Sequence, residues 1–140
     1  MFYGAIALTV FANVLYHLFQ KSIPGNVNPL FSLTITYLVA ATASVILIPF
    51  FPLEGTLGSE LRKINWTSFG LGVVIIGLEL GFLLAYRAGW NISLASLVAN
   101  TTVALILIPI GLILFKERLT PINVLGVILA LVGLVLVNLK

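Results

Sequence analysis

Five apolar stretches, each about as long as a bilayer crossing, leave this chain few ways to fold in water. They cover about residues 2–20, 29–50, 66–87, 92–115 and 121–139, and a helix needs about 20 apolar residues to cross the hydrocarbon. Turn-forming residues separate them. "QKSIPGNVNP" ends the first, and Asn28 before Pro29 has the pattern of a helix N-cap with proline at the first helical position. Thr120 and Pro121 open the fifth in the same way. The longest connection, "PFFPLEGTLGSELRKIN", reads as a loop and holds four of the eleven acidic and basic residues. The pattern predicts an all-α integral membrane protein with five transmembrane helices, forming a single transmembrane domain over residues 1–140. The opening "MFYGAIALTVFANVLYHLFQK" has neither a basic n-region nor a small-residue cleavage motif, so it is expected to be a retained span.

Composition excludes the main alternatives. The chain is 61% hydrophobic and 8% charged, whereas soluble domains are roughly 25% charged. Without cysteine there are no disulfides, thiolate metal sites or cysteine nucleophiles. The net charge of +3 comes from a few loop residues rather than a basic patch, so nucleic acid is not an expected partner. One His, no Cys and a single deep acid leave no catalytic constellation, and no cofactor or metal is expected.

An odd number of spans puts the termini on opposite sides. The side of the N-terminus receives Arg62, Lys63, Lys116 and Arg118, and the other receives Lys21, Arg87 and Lys140, four against three of the seven basic residues. Orientation follows a Lys/Arg excess on the cytoplasmic side. So even a balance reads either as a weak preference or as a chain that inserts both ways up.

The polar residues inside the spans form stripes at helical spacing. Thr9, Asn13, Tyr16 and Gln20 lie on span 1 with His17 beside them. Thr34, Tyr37 and Ser44 lie on span 2, and Ser93, Ser96 and Asn100 on span 4. On span 3, Glu79 shares a face with Phe82, Leu83 and Tyr86. Following the chain back and forth, these groups fall in one half of the membrane, as a cavity open to one side would require. The plain alternative is that hydroxyls and amides only join helices, at about 0.6 kcal/mol each on average. Gly77 and Gly81, on the opposite face of span 3, have the spacing of a close helix contact. Span 5, with Gly126, Ala130 and Gly133, reads as a packing or dimer element rather than a cavity wall.

Glu79 is the most informative residue. A carboxylate at the centre of a spanning helix costs about 2.5–3.5 kcal/mol on insertion scales, and such groups face an interior or a cavity. It could exchange a proton for a cationic substrate, hydrogen-bond a neighbouring helix in its protonated form, or pair with a basic group of another segment. His17 is close to a membrane surface and is a weaker candidate. Arg87 fits a snorkelling role.

Residues 91–139 carry a pattern of their own. "SLASLVANTTVALILIPIGLILFKERLTPINVLGVILALVGLVLVN" resembles the end of a repeat in the drug/metabolite transporter superfamily, EamA type. The resemblance lies in a small, polar-rich helix with a late proline (Pro109), the "KERLT" turn (Lys116–Thr120) and a glycine-rich last helix (Gly126, Gly133). It implies carriers built from two five-helix repeats of opposite topology, the first four helices of each lining the pathway. The chain would be one repeat of that inverted-repeat transporter fold, completed by an inverted copy: an antiparallel, dual-topology homodimer. The resemblance makes Glu117 a structural loop acid. It also implies a multi-pass protein of a prokaryotic plasma (inner) membrane that exports small metabolites or drugs; the expectation of proton or cation coupling rests on Glu79, which belongs to no motif of the resemblance. The site residues expected from the stripes are Glu79, Asn13, Tyr16, His17, Tyr37, Tyr86 and Asn100. The alternative is a non-transporting membrane subunit that assembles or regulates a larger complex.

Overall fold

The computed structural model describes residues 2–138, with the backbone alone for Phe2 and Asn138. The described residues form α1 (Phe2–Ser22), α2 (Pro29–Leu47), α3 (Leu57–Lys63), α4 (Trp66–Arg87), α5 (Ile92–Leu114) and α6 (Pro121–Asn138), with a 3-10 turn over Ile48–Phe50 and no strand. Lys140, part of the charge balance, and Leu139, the last residue of the fifth span, lie outside the described residues.

Local chemistry starts the helices where the sequence places it. Asn28 Oδ1 accepts from the Phe31 N–H at 3.1 Å, with Pro29 at the first position of α2. Asn65 Oδ1 accepts from the Thr67 N–H at 3.0 Å and also from the Thr67 hydroxyl. Thr120 Oγ1 accepts from the Asn123 N–H at 3.2 Å at the start of α6. Each cap satisfies an N–H that has no partner within its own helix. The helix α3 falls inside the expected loop. Thr56 caps it, accepting from the Ser59 N–H at 3.3 Å, and Lys63 pairs with Glu60 at 2.6 Å and Glu54 at 3.8 Å. Seven residues carry too short a period for hydrophobic patterning to announce them.

Two ends show why particular residues sit there. Gly89 follows the α4 cap residue Ala88 with φ +97°, a conformation side-chain-bearing residues rarely adopt. At the end of α5, the N–H groups of Phe115 and Glu117 both donate to the Gly111 carbonyl at 3.1 Å. A Cβ on Gly111 would meet the Glu117 carboxylate, so the missing side chain is what lets the turn acid fold back on the helix.

Among the described residues, three helical stretches are long and apolar enough to cross a membrane: Pro29–Phe50, Trp66–Arg87 and Ile92–Leu114. Five were expected. In α1 the apolar run is diluted by Asn13, His17, Gln20 and Lys21, and the described apolar part of α6, Pro121–Val137, is shorter.

The chain divides into two compact units, Met1–Ala88 and Gly89–Lys140. In the first, α4 packs against both α1 and α2, whose backbones do not approach each other closely among the described residues. Leu33 and Leu83 are its most enclosed side chains, 2% and 1% exposed. In the second, α5 pairs with α6. Outer faces are covered with exposed Leu, Ile, Val and Phe. Lipid is as apolar as these side chains, so dispersion packing and polar links, not hydrophobic burial, hold such helices together.

The Gly77–Gly81 stripe differs from its reading. Apart from the local backbone of α4 itself, no atom of the first unit lies within 4 Å of a Cβ placed at either glycine. Both partners of α4 lie on the side of its buried residues, Glu79, Leu83 and Tyr86.

Candidate functional site: a cleft over Glu79

The site grows from the contact between α1 and α4. Lys21, one residue before the end of α1, donates to the Tyr86 carbonyl at 3.3 Å, one residue before the end of α4. The two helices therefore lie with their C-terminal ends together, as first and third spans should. Arg87 donates to the carbonyls of Pro24 and Val27 at 3.2 and 2.8 Å, tying the α1–α2 turn to the end of α4. It serves the loop backbone rather than Glu79. Among the described residues every ion pair belongs to Lys63.

Deeper along α4 the polar stripes meet. Gln20 Nε2 donates to the backbone carbonyl of Glu79 at 2.9 Å and reaches the Tyr16 hydroxyl at 3.4 Å. The Tyr86 hydroxyl and His17 Nδ1 share a hydrogen bond of 2.8 Å. Around it Tyr16, His17, Phe82 and Tyr86 form an aromatic cluster with centroids 4.8–6.2 Å apart. All but one of those contacts are edge-to-face, the arrangement that ring quadrupoles favour. Glu79 is 9% exposed, His17 7% and Gln20 5%, an unusual burial of polarity for so small a bundle.

Because α1 and α2 stand apart on α4, a cleft of about 420 Å³ opens between them. Tyr16, Phe19, Gln20 and Ile23 line it from α1. Val27, Phe31, Ser32, Ile35 and Thr36 line it from the turn and α2, and Glu79 is the single α4 residue to reach it. On α2, Tyr37 is half-buried and its hydroxyl interacts electrostatically with the Glu79 carboxyl, without a hydrogen bond of ordinary geometry among the described residues.

Of the expected site residues, Glu79 and Tyr16 line the cleft, Tyr37 faces Glu79, and His17 and Tyr86 form the pair beside it. Asn13 is exposed on α1 and does not line it. Asn100 lies in the second unit, in a groove of about 440 Å³ shared with Thr101, Asn123, Gly126 and Ala130. There α6 does form a wall, because its small residues leave space against α5. Gln20 was visible as a stripe member four residues from Tyr16, but nothing in the sequence marked its grip on the α4 backbone. Thr9, Thr34 and Ser44 donate to carbonyls four residues back at 3.0, 2.8 and 2.8 Å. Those stripe hydroxyls are satisfied by their own helices.

Comparison with curated proteins and with solved structures gave no match. The model of the EamA-like transporter family matches residues 2–139, nearly the whole length, and the chain belongs to that family of membrane transporters of small molecules.

Proposed function

We propose that the protein is a secondary transporter of small molecules in which Glu79 carries the coupling charge, and that it works as an antiparallel homodimer in a prokaryotic plasma membrane. The observation that supports this best is the placement of Glu79: one carboxyl, nine-tenths buried, and the only part of α4 that reaches the cleft. A protonated Glu79 sits cheaply in hydrocarbon, whereas an ionised one needs a cation beside it. That difference makes release of a proton and uptake of a cation mutually dependent. Gln20 holds the α4 backbone at the same residue, so the carboxyl is presented from a pinned segment. The hydroxyls of Tyr16 and Tyr37 are the neighbouring polar groups.

In this reading α1 and α6 complete five crossings, and four basic residues on one side against three on the other allow insertion in both orientations. An inverted second copy then opens its cleft to the opposite face, and alternating access follows from exchanging which cleft is open. The test uses purified protein in liposomes, with an internal pH dye and solid-supported-membrane currents read during solute jumps. Glu79→Gln should abolish the coupled signal. An unchanged signal would remove Glu79 from the mechanism, and complete absence of flux in the wild type would favour the non-transporting subunit.

A further inference from the structure

We propose that the cleft between α1 and α2 selects monovalent organic cations with an aromatic or bulky apolar body, and discriminates against zwitterions and anions. This rests on the transporter reading and names its substrate class.

The argument begins with charge. The cleft lining contains one ionisable acid, Glu79, and no Lys, Arg or His. The nearby basic groups lie outside the lining and are bonded elsewhere, although His17 Nε2 and Arg87 Nε have no hydrogen-bond partner among the described residues. Lys21 Nζ sits at the Tyr86 carbonyl and 5.4 Å from the centre of the Tyr86 ring. Arg87 is bonded to the Pro24 and Val27 carbonyls, and His17 Nδ1 is bonded to Tyr86. The remaining anion-binding element would be the start of α2, which borders the cleft through Val27, Phe31 and Ser32. Most of that end is already taken: the Phe31 N–H goes to Asn28 Oδ1, the Ser32 N–H goes to the Asn28 carbonyl at 3.0 Å, Pro29 has no N–H, and Leu30, which carries the remaining N–H of the turn, does not line the cleft. A substrate carboxylate would therefore lose its water for hydroxyl groups such as those of Ser32 and Tyr16, with no cation in the lining to offset a desolvation that costs several kcal/mol for an ion.

The rest of the lining fits the other end of such a molecule. Tyr16, Phe19 and Phe31 bring aromatic side chains to the lining, the kind that attracts a cation, and Ile23, Val27 and Ile35 bring aliphatic ones. A volume of about 420 Å³ lies at the small end of ligand pockets, enough for one ring and a short cationic head.

The test measures equilibrium binding to the purified full chain with four probes: trimethyl(phenethyl)ammonium, tetramethylammonium, phenylalanine and 2-phenylethanol. Three of them share a phenyl ring on a two-carbon or closely similar stem and differ in charge. The proposal expects trimethyl(phenethyl)ammonium to bind at least about 100-fold more tightly than phenylalanine or 2-phenylethanol, since a site built around a polar partner rejects analogues lacking it. Glu79→Asp should retain binding and Glu79→Gln should lose it. Phe31→Ala should weaken binding of both cations by about fivefold or more, with the folded state checked by size exclusion. Phenylalanine binding as tightly as the cation overturns the proposal, as does absence of binding by all four. Cation binding without flux in liposomes leaves the site standing and overturns only the transport reading.

Discussion

At the scale of single residues, Glu79 and the His17–Tyr86 pair do different work. Glu79 lines the cleft between α1 and α2; the pair is a hydrogen bond that joins α1 to α4. Tyr86→Phe should lower stability by roughly 0.6–1.7 kcal/mol, the range for interhelical hydrogen bonds in membranes, measured by reversible unfolding in detergent. Cation binding should persist in this variant, whereas Glu79→Gln should lose binding with little change in stability. If both variants lost binding equally, the division between the two roles would be wrong. The sequence identified Glu79 because an isolated carboxyl in an apolar run has few structural excuses. Gln20 was not identified as a site residue because its partner is a backbone carbonyl, and a main-chain acceptor leaves no signature in side-chain chemistry.

At the scale of elements, the helix starts were the most legible part. Asn28–Pro29 and Thr120–Pro121 form caps because capping depends on residues within one turn. Asn28→Ala should cost about 1 kcal/mol, read as a fall in thermal midpoint, with Pro29 still favouring the start of α2. Gly111→Ala is expected to be close to neutral. The added methyl displaces only the tip of the Glu117 side chain, and alanine recovers roughly 0.8–1.0 kcal/mol of helix propensity over glycine. A loss well above 1 kcal/mol would mean that the Glu117 contact holds the turn more firmly than a side-chain tip should. The helix α3 escaped notice because its stability comes from the Thr56 cap and the Lys63–Glu60 pair, not from a repeating apolar face.

At the scale of the whole molecule, the proposed dimer makes the sharpest prediction. Reporters fused to either end should each be found on both sides of the membrane, and adding two lysines to one loop should drive the chain to a single orientation. A uniform orientation in the unaltered chain would exclude an antiparallel pair of identical copies. Gly81→Leu should be tolerated by the first unit, where nothing beyond the local backbone of α4 lies within 4 Å of that position, and should weaken association between copies if the open stripe is where they meet. The measurement is the monomer fraction in mild detergent.

The sequence by itself determined an all-α membrane chain, where its long helices begin, and that Glu79 is an exceptional residue. These properties are local: they follow from hydropathy over about 20 residues and from the chemistry of one turn. Only the tertiary structure decided that α1 and α2 stand apart on α4, that Glu79 alone crosses from α4 into the cleft, and that Gly77 and Gly81 face away from both neighbours. The physical reason is that in lipid every face of a helix can be apolar, so no amphipathic stripe tells a buried side from an exposed one. Which face meets which neighbour is then decided by shape and by a handful of polar links, and those links join residues as far apart in the chain as Gln20 and Glu79.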